Sequence, residues 1–185
     1  MFRESQEPVI NPESLSNRAE RLVLDFLLGS EIGVLNVEPT TIFDRNDRDG
    51  IDAVAEVEGG GKIALDITFN GDEKLKEKKL RNLKNPCAYL HDENGRAIGE
   101  SLPRVLIKEF SQVNWTTLAQ EAERRGGKLI DVMGPVVARR KKVEILTQIV
   151  TQMRGFSRYD ADYKERAKNI LEIFEEKLEE LGEAA

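Results

Sequence analysis

The sequence predicts an α/β fold, on three observations. Segments of helical period stand at both ends of the chain, the stretch "GIDAVAEVEGGGKIALDITFN" reads as two alternating apolar arms around a glycine turn, and further strand-like and helical segments follow it. The order is helix, three strands, helix, strand, then helices, which is an α/β sandwich rather than a regular doubly wound repeat.

Taken in order, "NPESLSNRAERLVLDFLLG" places Leu15, Ala19, Leu22, Val23, Phe26 and Leu27 at helical spacing, with Gly29 as a stop. "GVLNVEPTTIF" reads as a strand broken by Pro39, and "DRNDRDG" is polar, turn-rich chain leading into the hairpin. After the hairpin, Asn70 and Gly71 make a turn, Asp72 is a good N-cap, and "EKLKEKKLRNLK" forms a helix that stops before Pro86. "LPRVLIKEF" is a further strand, and "HDENGR", with the lone His91, reads as a turn. "NWTTLAQEAERRGG" is a helix ended by glycines and "KKVEILTQIVTQMRG" is another. The last is long and amphipathic, on Tyr163, Ala167, Ile170, Leu171, Phe174, Leu178 and Leu181.

At 185 residues, 39% hydrophobic and 34% charged, the chain has the material for one domain with a real core. The division expected is an α/β core over 1–135 and a C-terminal helical extension over 136–185 packed on the same domain. Cys87 stands alone, so no internal disulfide can form, and no signal peptide or membrane span is read; the expectation is a cytoplasmic protein without a membrane partner. The formal charge is −6, but the segment from Asp160 to Ala185 holds nine acids against four bases. Bases concentrate in "KLKEKKLRNLK" and "ARRKK", so a local basic face coexists with an acidic total, and nucleic acid stays open as a partner.

The hairpin carries one acid in each arm. With Gly59 to Gly61 as the turn, antiparallel partners sum to about 118 to 120, which sets Asp52 opposite Asp66 or Thr68. Lys62, Ala64, Asp66 and Thr68 share one face of their strand, and Ile63, Leu65, Ile67 and Phe69 share the core face. Like charges across a hairpin cost about 0.2–1 kcal/mol at exposed sites and more when desolvated, so the pair needs a compensator. A divalent cation answers the need: Mg²⁺ takes one or two carboxylates and keeps several waters beside a substrate phosphate.

These residues resemble the PD-(D/E)XK nuclease superfamily, the restriction-endonuclease-like fold. Its pattern is a helix often bearing a glutamate, an Asp at the start of one strand, (D/E)-x-K on the next, then a helix and another strand. Glu20 lies in the first helix, Asp52 matches the first motif position, and "LDIT" matches the second through Asp66. The resemblance covers roughly residues 13 to 110. It implies a central mixed sheet flanked by helices, Mg²⁺ or Mn²⁺ held by Asp52 and Asp66 with Glu20, and hydrolysis of nucleic acid, with DNA the expected class. A homodimer is compatible with it. A catalytically inactive relative, serving as a nucleic-acid-binding or assembly subunit, is the alternative.

Two departures stand out: Ile51 replaces the motif proline, and Thr68 occupies the place of the lysine that orients water or steadies the developing charge. The following helix offers replacements. With Leu83 at the centre of its apolar stripe, Lys76 lies about 20° and Lys79 about 40° away, while Lys74 is opposite. Lys62 shares the Asp66 face but sits roughly 13 Å along the strand. Lys76 is therefore ranked first, Lys79 second and Lys62 last. Lys76, Lys79, Arg139, Arg140, Lys141 and Lys142 are the expected nucleic-acid contacts. Each also has a plainer role: Asp52 and Asp66 as solvated strand residues, Glu20 and the basic runs as helix surface.

Other motifs fail. "GGGK" lacks the upstream glycine and the Ser or Thr of a phosphate-binding loop, having Glu56 and Ile63 there, and "RNDRDGIDAVAE" puts Arg45 at the first ligand position of a calcium loop. One histidine makes a zinc site or a Ser-His-Asp triad unattractive.

Overall fold

The computed structural model describes residues 12–40, 50–68, 87–92, 94–108, 115–125, 128–155 and 161–183. The elements are α1 (Pro12–Gly29), β1 (Val34–Pro39), β2 (Ala53–Val57), β3 (Lys62–Thr68), β4 (Cys87–His91), β5 (Ala97–Lys108), α2 (Trp115–Arg125), α3 (Leu129–Met133), α4 (Pro135–Gly155) and α5 (Ala161–Glu183). The fold is α/β. Its sheet is mixed and ordered β1-β2-β3-β5-β4, with β1, β2 and β3 an antiparallel meander, β5 parallel to β3, and β4 antiparallel to β5. Among the described residues, no helix is long and apolar enough to cross a membrane.

Alternation in β3 sorts its residues between two layers. Ile63, Leu65 and Ile67 join the main core, with Val23, Phe26 and Leu27 of α1, Ile145 and Ile149 of α4, and Ile170 and Phe174 of α5. The helices after residue 135 thus fill the same core as the strands. Ala64 faces the other way, into a smaller cluster with Ile51 and Ala88. Both faces of β3 are therefore buried, from Ile63 through Thr68.

Four features depart from the sequence reading. First, β4 is a fifth strand that was not expected: "CAYLH" is short, and of its residues only Ala88 is fully buried, so its alternation is faint. Second, His91 is the last residue of β4, paired with Ala97, and not part of the turn. The turn starts at Asp92, whose Oδ1 accepts the Asn94 and Arg96 amides at 2.9 and 2.8 Å, and β5 accordingly begins at Ala97. Third, α3 is an additional one-turn helix. Fourth, α4 starts at Pro135, just after Gly134, so "ARRKK" occupies its first two turns; proline is well suited to a first helical position.

The glycine turn is explained by geometry. Val57 donates its amide to the Gly61 carbonyl at 2.8 Å, closing the hairpin through Glu58–Gly60, where Gly59 and Gly60 have φ of 78° and 85°. Gly61 is required by packing instead: a Cβ there would lie 2.5 Å from Ile170 Cγ1 and 2.8 Å from its Cδ1. Gly61→Ala should lower the unfolding free energy by about 1–3 kcal/mol in denaturant titrations. In the Ile170→Ala background the added methyl should cost far less, and equal losses in both backgrounds would refute the contact.

Candidate functional site

The site lies at the open end of the β2–β3 hairpin. Ala53 faces Leu65 and Glu56 faces Lys62, a register that, carried on by one residue, would set Asp52 against Asp66. The ladder changes there. In regular pairing the Ile67 amide would go to the Ile51 carbonyl; instead it donates to Asp52 Oδ2 at 2.5 Å. The Ile51 carbonyl accepts the Thr40 hydroxyl at 2.6 Å, and the Asp52 carbonyl accepts the Thr40 amide at 2.9 Å. Asp52 N–H in turn donates to the Leu65 carbonyl at 2.8 Å. Asp52 is thereby fixed through its backbone and one carboxylate oxygen at the point where β1 ends and β2 begins.

Asp66 is fully buried, and Arg104 of β5 reaches it. Arg104 Nη2 lies 2.9 Å from Asp66 Oδ2 and donates also to the Gly50 carbonyl at 2.9 Å, so one guanidinium nitrogen ties β3 to the chain entering β2. The parallel register makes the contact: Arg104 pairs with Ala64, whose side chain leaves the sheet on the same face as Asp66. Arg104 is itself 6% exposed. An ion pair this dry gains strong mutual attraction but carries a large desolvation cost, so the loss of either partner is severe.

Of the expected site residues, Asp52 lies just before the Ala53–Leu65 pair with its Oδ2 on the Ile67 amide, and Asp66 is the residue preceding Ile67, with its Oδ2 on Arg104. Thr68 is buried two residues beyond Asp66 on the same face. Glu20 is half-buried on α1, the helix that packs on the opposite, main-core side of the sheet. Lys76 and Lys79, with the helix expected around them, lie outside the described residues. Lys62 is engaged 3.0 Å from Glu56; hydrogen bonding and charge attraction within that pair lower the Glu56 pKa and raise that of Lys62. In the first turns of α4, Arg139 donates to the Leu181 carbonyl near the end of α5, and buried Lys141 pairs with Glu144 at 2.6 Å. Arg140 is exposed, and Arg139 and Lys142 are half-buried, so Arg140 is the member of the run most open to solvent.

Sequence reasoning missed Arg104. The signal was present: a lone arginine among alternating apolar residues in "LPRVLIKEF" must either reach solvent or meet a buried acid.

Fold and site together define an α/β protein with a mixed sheet, whose central hairpin ends in two aspartates, one of them buried against an arginine from the adjacent parallel strand. Compared with known proteins, the chain matches no family model, no curated protein and no solved structure.

Proposed function

We propose that this chain is a metal-dependent nuclease of restriction-endonuclease-like fold, hydrolysing phosphodiester bonds of nucleic acid, with DNA the expected substrate class. The observation that carries the proposal is the hairpin register, whose pair Ala53–Leu65 has Asp52 and Asp66 as the next residue of each arm. The order of helix, three-strand meander and a later strand parallel to β3 supports it, because the resemblance implies a mixed sheet built in that sequence.

The donor chemistry fits Mg²⁺ or Mn²⁺: carboxylates supply the oxygen ligands that hard dications take, and Asp52 and Asp66 would hold the ion. When bound, such an ion polarises the phosphate and lowers the pKa of a coordinated water. The protein's own contributions are positional. Thr40 and the Ile67 amide hold Asp52, and Arg104 fixes Asp66 Oδ2 so that the carboxylate cannot rotate away.

Two observations favour the second reading, a non-catalytic nuclease-fold subunit that binds nucleic acid. Arg104 already balances the charge of Asp66, and the buried Thr68 stands at the lysine position. Incubating the protein with single- and double-stranded DNA and RNA, with and without Mg²⁺ or Mn²⁺, separates the two. Cleavage that requires the ion is the expected result. Tight, salt-sensitive binding without cleavage selects the second reading, and a protein that neither cleaves nor binds overturns both.

A further inference from the structure

In the parallel register of β3 and β5, Thr68 is paired with Lys108. Paired residues in a ladder project to the same face, so the Lys108 side chain rises from the Asp66 face beside Thr68, one strand spacing away, about 4.8 Å. The flexible four-carbon stem of a lysine can span that gap. The base of the stem is fixed: the Lys108 amide donates to Gln148 Oε1 at 2.7 Å, and its carbonyl accepts Gln148 Nε2 at 3.0 Å. Lys108 is exposed, and among the described residues no acid pairs with it, whereas Lys62, Arg104 and Lys141 each have a carboxylate partner.

We infer that Lys108 supplies the ammonium of the Asp52–Asp66 site and contacts the substrate phosphate there, taking the part that Thr68 cannot. The inference rests on the nuclease reading above. Its chemistry is electrostatic: a positioned cation neutralises the charge that builds on the phosphate oxygens as water attacks and the P–O bond to the leaving oxygen breaks.

The test uses the full chain and its Lys108→Ala, Lys108→Arg and Lys76→Ala variants with a short DNA duplex. In chelator, without divalent ion, the logarithm of the affinity of Lys108→Ala should fall with the logarithm of salt concentration less steeply than wild type, by about 0.9, the contribution of one phosphate contact. Lys108→Arg should keep the wild-type slope. With Mg²⁺ present, Lys108→Ala should lose on the order of 10²-fold in kcat. Both changes are required: an effect on one alone, or a loss seen in Lys76→Ala and not in Lys108→Ala, overturns the inference and leaves the nuclease reading standing. A wild-type protein that cleaves neither DNA nor RNA with Mg²⁺ or Mn²⁺ overturns the nuclease reading itself, and the inference with it.

Discussion

Arg104→Ala is expected to lower the unfolding free energy by about 3–5 kcal/mol, a large share of the stability of a single domain. Asp66 has no exposed surface, and the variant would remove the guanidinium 2.9 Å from its Oδ2 without letting water in. The Gly50 carbonyl would lose its donor as well, loosening the approach to β2. Arg104→Lys should recover only part of the loss, since the ammonium of a lysine stem does not stand where the guanidinium Nη2 meets both the Asp66 carboxylate and the Gly50 carbonyl. Replacing the pair together, as Asp66→Leu with Arg104→Met, should leave stability near wild type because no buried charge remains. Urea titration of the three variants decides it. An Arg104→Ala cost within about 0.5 kcal/mol, the range of an ordinary surface change, would mean that the pair does not hold this end of the sheet together.

The second large effect concerns the acids. The change of Asp52 and Asp66 together to Asn should abolish the binding of Mg²⁺ or Mn²⁺ in calorimetry and, with it, metal-dependent cleavage. Asp52→Asn alone is the gentler probe, because the amide keeps an oxygen acceptor for the Ile67 N–H while the charge is removed. Asp66→Asn also strips Arg104 of its counter-charge, so the double variant is read beside its circular dichroism. Metal binding that survived in a folded double variant would remove Asp52 and Asp66 from the site. If the acids have no metal role, Asp52→Asn relieves repulsion and leaves every activity unchanged.

The part of the site legible in the sequence is local. Glycines placed the hairpin turn, alternation told which face of β3 carries Asp66, and the lower of the two registers they allowed is the one that pairs Ala53 with Leu65 and Glu56 with Lys62. What was not legible depends on which strand lies beside β3. Arg104 and Asp66 are 38 residues apart, and only the parallel pairing of β5 with β3 joins them. The same pairing sets Lys108 beside Thr68, a neighbour that helical-wheel reasoning could not find. A carboxylate within a sheet calls for a compensating cation, and a buried arginine answers that need as a metal ion does. "ARRKK" reads as a solvated basic run, yet Lys141 is buried and Arg139 bonds the Leu181 carbonyl, since a helix packed on α5 must turn some of any such run inward.

Where β4 no longer pairs with β5, the edge passes to side chains. Gln152 bonds both the amide and the carbonyl of Leu106, at 2.9 and 2.8 Å, and Gln148 does the same for Lys108. Four residues of helix rise about 6 Å and two residues of strand about 6.6 Å, so glutamines one turn apart match alternate residues of a strand. The primary amide copies the peptide group, and α4 acts toward β5 as an imitation strand. A neighbouring molecule that approached this stretch to add its own strand would meet carbonyls and amides already satisfied, so this side of β5 is closed to the edge-to-edge growth that starts fibrils.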